Sequence, residues 1–532
     1  VQTRKHYLVF VLILMIVAGL IAGCSKEKNA TGASETQSAS SSTEPSASPS
    51  ASAPSASASA SDDGNPDTSE EVKLKMYIMG DKAPDTDKVY AKINEKLKQD
   101  INATVEVDFI PWADMDTKYN LLLSSGEDFD LIFAATWTNF ASYARKGGFY
   151  EITPEMLAKY APKTSAYPKE VNASGVIDGK MYGIPAYKPE FYTMAYVVRG
   201  DLMKKYGITE IKNLDDFGAY LEAVKQNEQG LIPYNVGQAD SYTLGAILQQ
   251  SQGWRGVNGA TGSIKTSDPK RQMFNIFYMP EMIDHFKKMK TWQEKGFWSK
   301  NALVNKTQAI EAFKNGTSAS AIVNMDNANQ LYVQMLQAHP EWEIKVFNAY
   351  PDNPPPIGSY MTNGMAINAK SKHPERALMM LELFKNDQAY NDLTNYGIET
   401  DHYTSTADGK LEFKADSGFP ARGVSPWGWN NLQLTKSFAQ ELPNLNDIMN
   451  QYKGNYQPDT LLEFSFDGSG VSDVVAVLND MNSQYGKPLE LGFVKDVEKS
   501  IAQIQEKYKA AGIENYNAEV QKQIDAYLAA NS

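Results

Sequence analysis

A single cysteine, Cys24, occurs in 532 residues, which excludes any disulfide within the chain. Histidine is nearly as scarce, with five copies. Four of them, His285, His339, His373 and His402, stand too far apart in sequence for a local zinc motif, and no H-E-x-x-H occurs. No Walker-type or G-x-G-x-x-G loop is present, and "GTSAS" from Gly316 lacks the final glycine of a nucleophile elbow. Neither a metal nor a cofactor is expected. Basic charge is also short: 51 Lys and Arg against 64 Asp and Glu leave a net charge of −13. Phosphate neutralisation needs clustered cations, so no nucleic-acid partner is expected. Beyond residue 24 no apolar run reaches the ~20 residues that a membrane-spanning helix requires. One catalytic device survives these absences, the paired carboxylates of a glycosidase, because they lie far apart in sequence.

The lone cysteine stands in "MIVAGLIAGCSKEKNA". Arg4, Lys5 and His6 make a basic head, Leu8 to Ile21 is almost unbroken aliphatic sequence, and small residues precede Cys24. These are the marks of a secretory signal peptide. An uncleaved membrane helix fits less well, since the run is roughly 14 to 16 residues long. The stretch resembles the lipobox of bacterial lipoproteins. That resemblance implies that residues 1–23 are removed and that Cys24 carries a thioether-linked diacylglycerol with palmitate-class chains. The chain would then sit on the outer face of the cell membrane, with no thiol left for catalysis. From Thr31 to about Asp63 the sequence is Ser, Ala, Pro and Thr, as in "SASPSASAPSASASASDD". Such a segment buries too little apolar surface to offset its ordering entropy. As a flexible tether, 24–70 would span roughly 35–40 Å.

The remainder is long enough for two or three domains. "VKLKMYIMG" (Val72 to Gly80) alternates like a strand, and "DTDKVYAKINEKLKQDI" places Val89, Ile93, Leu97 and Ile101 at helical spacing. "TVEVDFIPW" reads as a strand, Ala113 to Ser125 as a helix, and "FDLIFAAT" (Phe129 to Thr136) as a buried parallel strand. This β-α-β-α-β order is that of an open α/β sheet, which binds ligands at the carboxyl ends of its strands. Further strands are expected in "SASAIVNMDNA", "EIKVFNAYP" and "MTNGMAIN", the last followed by a long amphipathic helix. The carboxy-terminal region reads as helical, with Gly512 between two helices.

With "FDLIFAATW", "DGKMYGIPAY" and "GMAINAKSKHPERALMMLELFKND" in this order, the chain resembles the extracellular solute-binding proteins of ABC importers, oligosaccharide-binding class. The stretch from "NYGIETDHYT" to the end is similar to a carboxy-terminal domain of Gram-positive lipoproteins in that class. The resemblance implies a two-lobed, periplasmic-binding-protein-like α/β fold with a hinge of crossing segments. Lobe one is expected to comprise 71–190 and a return segment, 358–415. Lobe two is expected to comprise 191–357 and 416–532, the latter including the helical carboxy-terminal region. The crossings are placed near 187–196, 355–362 and 400–425. The implied partners are an oligosaccharide and the transmembrane subunits of an ABC permease, with the protein itself a monomer and not an enzyme. Two other functions fit the same sequence: a surface-anchored glycan-degrading enzyme, and a ligand-sensing lipoprotein feeding a sensor kinase.

Sugars offer C–H faces to aromatic rings and hydroxyls to polar side chains. Candidate ligand contacts are therefore Trp137 after the third strand, Tyr187 at the first crossing, Trp254 in "QGWRG", Tyr360 in "GSYMTNG", and Trp427 and Trp429 in "SPWGWNN". Asp240, Asn324 and Asp326 are the polar candidates, although Asn324 and Asp326 also suit a helix cap. Trp292 and Trp298, at a helix end, read as packing residues.

The anchor is directly testable. Cys24→Ser should abolish incorporation of an alkyne fatty acid and leave unprocessed or shed protein; undiminished labelling of the variant would refute the assignment.

Overall fold

The computed structural model describes residues 66–190, 193–237, 240, 244–350, 357–414, 416–454 and 459–531. The leader, Cys24 and the tether lie outside them. Strand β1 (Val72–Met79) alternates buried and exposed side chains in its first half and is buried throughout its second. Helix α1 (Thr86–Ile101) follows and buries Val89, Ile93, Leu97 and Ile101, the stripe seen in the sequence. Strand β2 (Ala103–Ile110), helix α2 (Met115–Ser125) and strand β3 (Leu131–Ala134) complete the expected β-α-β-α-β unit. All three strands are parallel, with β1 in the middle. A short strand β4 (Gly183–Pro185) closes this part of the chain.

The chain then leaves for a second sheet. Strand β5 (Met194–Val198) is its centre, and helix α3 (Pro280–Lys295) adds Met289 and Trp292 to the same core. Strand β6 (Ser320–Asn324) runs directly into helix α4 (Met325–Ala338), and strand β7 (Lys345–Asn348) follows. Both β6 and β7 pair antiparallel to β5. Strand β8 (Gly364–Ile367) returns to the first sheet and inserts antiparallel between β3 and β4. Helix α5 (Pro374–Asn386), entered through Pro374 at its first position, covers that sheet with Ala377, Leu378, Leu381 and Phe384. The result is a two-lobed α/β body with one core per lobe.

The carboxy-terminal region forms a third core. Helices α6 (Val497–Ala511) and α7 (Ile513–Ala530) are separated by Gly512, whose φ of +91° ends the first helix in the left-handed region. Their buried faces pack with Phe464, Phe466 and the segment from Trp254 to Phe286. The third crossing differs from the expected one. Phe419, Val424 and Trp429 still belong to the first core, whereas Leu442 and Ile448 belong to the second. The return segment therefore runs past 415, because "GFPARGVSPWGW" caps the first sheet instead of crossing.

Lys385 on α5 is fully buried. Its Nζ donates to the Pro185 carbonyl at the end of β4 and lies 5.1 Å from the centre of the Tyr167 ring. Burial pulls this amine down from 10.5 to about 7, with Glu382 opposing the shift. The unfolded chain keeps the proton up to about 10.5 and the folded chain releases it near 7. Stability therefore rises with pH across that window, and the full penalty applies below it. Urea midpoints of the wild type should climb between pH 7 and 10.5, and Lys385→Met should flatten the climb. Equal slopes in the two proteins would show that Lys385 titrates as an exposed lysine does.

Candidate functional site

The carboxyl ends of β1, β2 and β3 form one edge of lobe one. Leaving β1, the chain turns at Gly80 with φ +104°, where a Cβ would come within 3.2 Å of Ser425 Oγ and 3.5 Å of Trp112 Nε1. Leaving β2, Pro111 ends the strand and a short 3-10 turn carries Trp112. Leaving β3, a second such turn, Thr136–Thr138, carries Trp137. Thr138 fixes this turn: its Oγ1 accepts from the Ala135 amide at 3.0 Å and donates back to the Ala135 carbonyl at 3.1 Å. A third turn, Pro426–Trp429, brings Trp427 to the same edge.

The three rings meet. Trp112 lies 6.1 Å from Trp137 and 5.7 Å from Trp427, with interplanar angles of 26° and 31°. Phe133, the third residue of β3, supports both Trp137 at 5.3 Å and Trp427 at 6.0 Å. Trp137 is 38% exposed, and Trp112 and Trp427 are half-buried. The indole N–H of Trp137 is occupied, donating to the Thr362 carbonyl at 2.8 Å. The exposed part of Trp137 therefore has no free N–H to offer and is apolar.

Thr362 belongs to the second crossing. There the backbone of 186–190 lies between two others: Ala186 N–H donates to Asn363 O at 2.9 Å, Tyr187 N–H to Asn430 O at 2.7 Å, and Gly358 N–H to Glu190 O at 2.6 Å. Leu432 N–H completes the set on Tyr187 O at 3.0 Å. Lys188 projects from this ribbon and pairs with Asp326, at the start of α4 in lobe two, at 2.5 Å, and with Glu190 at 3.6 Å. Asn363 Nδ2 donates to Glu190 Oε1 at 3.0 Å. Burial pushes the Glu190 carboxyl up. The charge of Lys188, joined by that of Arg422, holds Asp326 down to about 2. Asp326 nevertheless keeps half of its side chain exposed. It is a carboxylate pinned by Lys188 beside the hinge.

The sequence candidates divide accordingly. Trp137, Trp427 and Asp326 stand at the features just described. Tyr187 sits on the first crossing with its ring stacked on Tyr167 at 4.2 Å, and Tyr360 opens the turn that holds Thr362. Trp429 is a correction: it is fully buried, its Nε1 donates to Thr394 Oγ1 at 3.0 Å, and its ring packs 5.3 Å from Phe384. Trp254 is another, buried in the third core with its Nε1 on Glu281 at 2.8 Å. Asp240 accepts the Ala309 amide at 3.1 Å and so caps the helix Ala309–Lys314. Asn324 caps α4 through the Asn327 amide at 2.8 Å. Trp292 and Trp298 are both buried. Sequence reading passed over Trp112, Lys188, Glu190, Asn363 and Arg422. For Trp112 a signal existed, since Pro111 ends the strand just as the turn after β3 precedes Trp137. Among the described residues no group of three His, Cys, Asp or Glu side chains is placed to hold a metal ion.

A model of the bacterial extracellular solute-binding protein family matches residues 82–390. A second, for a domain of unknown function, matches residues 460–529. A carbohydrate ABC transporter substrate-binding protein of Streptococcus pneumoniae is 23% identical over 477 residues, spanning 87% of this chain and 92% of that one. A polygalacturonan/rhamnogalacturonan-binding protein of Bacillus subtilis is 24% identical over 360 residues, or 65% of this chain and 70% of the other. The crystal structure of an N-glycan transport solute-binding protein from Streptococcus pneumoniae, in complex with Man1GlcNAc, superposes with a TM-score of 0.73. It is 20% identical, and the match covers 86% of this chain and all of the other.

Burial separates the two tryptophans of "PWGW". Trp429→Ala should cost about 3–5 kcal/mol of unfolding free energy, the range for truncating a core aromatic. Denaturant melts of the ligand-free protein measure it, and a midpoint unchanged from wild type would move Trp429 out of the core.

Proposed function

This chain belongs to the bacterial extracellular solute-binding protein family, and from that premise we propose that it captures an oligosaccharide between its two lobes. It hands the sugar to the transmembrane subunits of an ABC importer and carries out no chemistry on it. The observation that carries this reading is the gathering of Trp112, Trp137 and Trp427 from three distant segments onto one edge of lobe one, while a half-exposed carboxylate of the other lobe, Asp326, is tied to Lys188 of the first crossing. Sugar rings place their C–H faces on such aromatic surfaces, and a carboxylate accepts two hydroxyl hydrogen bonds at once. The names of the relatives, which bind carbohydrate, point the same way.

In this reading lobe one comprises 71–190 and the return segment, lobe two the segment between them and the remainder, and closure about the three crossings encloses the ligand. Tyr187 and Tyr360 line the hinge side. The protein works as a monomer on the outer face of the membrane, held there through Cys24.

Calorimetric titration against neutral glycans (high-mannose N-glycan, maltodextrin, fructan) and acidic ones (trigalacturonate) tests the proposal. One class should bind stoichiometrically with no product formed. Trp137→Ala and Trp427→Ala should each weaken that binding by about 1–3 kcal/mol while leaving the melting midpoint of the free protein in place. Asp326→Asn should weaken it too. Because the charge of Lys188, joined by that of Arg422, holds the Asp326 carboxyl well below the usual range, the Asp326-dependent part of the affinity should be flat from neutral pH down past the usual carboxylate range. Turnover of a glycan, or silence across the whole panel, would sink the reading.

A further inference from the structure

The carboxy-terminal region is built onto lobe two. Helix α3 places Met289 and Trp292 in the second core and Met282 and Phe286 in the third, so one rigid element serves both. Trp298 Nε1 donates to the Leu491 carbonyl at 3.1 Å, and Leu491 itself packs in the second core. The entry to this region is equally fixed. Asp459, almost fully buried, pairs with Arg255, and the side chains of Leu461, Phe464 and Phe466 point into the third core. Asp467 is tied to α7 in both directions, its N–H donating to Gln523 Oε1 at 2.9 Å and its carbonyl accepting from Gln523 Nε2 at 3.0 Å.

Yet the outward side of 463–467 touches lobe one and the hinge. Arg145 ends the helix Phe140–Arg145, whose Phe140 and Ala144 lie in the first core. It grips Asp178 with Nε and Nη2 at 3.0 and 3.3 Å, and Nη2 also donates to the Ser465 carbonyl at 3.4 Å. Its Nη1 is buried without a hydrogen-bond partner. Two residues on, the Asp467 carboxyl is held low by the Ser469 amide, then by the Ser469 hydroxyl, and to a lesser extent by the charges of Arg145 and Lys146. At the second crossing the Ser359 hydroxyl donates to Glu463 at 2.7 Å.

We propose that the carboxy-terminal region, residues 459–531, is a clamp that rides on lobe two and grips lobe one through Arg145, setting how far the lobes part. Opening the cleft must break the Arg145–Ser465 hydrogen bond and draw Arg145 and Lys146 away from Asp467. The arrangement with the lobes together is favoured by that difference, before any solute enters. This assigns a task to the segment that the second family model leaves without one, and it stands on the two-lobed fold, not on the identity of the sugar.

The test needs no ligand. Spin labels at Lys92→Cys in lobe one and Lys295→Cys in lobe two, on the full chain with Cys24→Ser, report the separation by double electron–electron resonance. Arg145→Ala should move the distance distribution to longer values by several ångströms, and Asp467→Asn, which keeps the shape of the side chain, should move it the same way. Asp178→Ala leaves the Ser465 contact in place and should shift it less. Distributions that coincide with the parent in both Arg145→Ala and Asp467→Asn would overturn the clamp. If Arg145→Ala fails to fold, Asp467→Asn decides alone. Failure to bind any oligosaccharide leaves this measurement untouched.

Discussion

The antiparallel insertion of β8 between β3 and β4 is the constraint on which the rest of the molecule depends. It brings residues 225 positions apart, Trp137 and Thr362, into hydrogen-bond contact, and it fixes where the chain must re-enter lobe one. Gly364 opens the strand because nothing larger fits there: a Cβ would stand 2.7 Å from Met361 Sδ and 2.8 Å from the Ile184 carbonyl. Residues just before a buried strand have little freedom. Thr362 and Asn363 therefore present a carbonyl to Trp137 and an amide to Glu190 at set positions. Pairing of this kind closes a very long loop, at an entropic cost that grows only slowly with length.

Charge at the crossings follows from that geometry. Glu190 and Lys188 are both largely buried, and an unpaired charge there would cost several kcal/mol. Pairing Lys188 with Asp326 offsets the burial of Lys188 and holds the Asp326 carboxyl low. Arg422 adds positive charge from the return segment, its guanidinium lying 4.6 Å from the Phe438 ring. The energetic gain of such a cluster is small, since desolvation consumes most of the Coulombic attraction. What it supplies is orientation. Asp326 keeps half of its side chain exposed while a residue of the first crossing, Lys188, holds it in place.

Much of this architecture was legible in the sequence, because period and burial coincide there. Alternation in "VKLKMYIM", the four-residue stripe of α1 and the unbroken apolar run of β3 each reflect a local requirement that one element satisfies alone. The proposed binding edge was legible only in part. Trp427 and Trp429 share the same turn and the same Gly and Pro neighbours, yet one reaches Trp112 and the other sinks against Phe384. Gly428 decides between them: its backbone lies so close to β8 that a Cβ would meet Met365 Sδ at 2.5 Å. That contact joins residues more than sixty positions apart, and no local pattern encodes it. Trp254 misleads for a related reason. "QGWRG" has the composition of a loop, but its three-residue strand is covered by helices that come more than two hundred residues later.

The proposed site is divided between two lobes, and its recognition would rest on turns rather than on strands. Rings held by short 3-10 turns at strand ends lose little further freedom on meeting a sugar, so most of their contact free energy survives as affinity. A ligand resting on the tryptophans alone favours no particular lobe separation, because all three belong to lobe one. Only an interaction that also engages lobe two distinguishes the open arrangement from the closed one, and a ligand shifts that equilibrium by no more than this difference. In the proposed site Asp326 would supply such an interaction, and its tie to Lys188 means that a hydroxyl bound there would also load the first crossing. In the proposed site, strong stacking with a modest polar contribution from lobe two would give capture that can be reversed. A carrier needs that balance, since it must surrender what it binds.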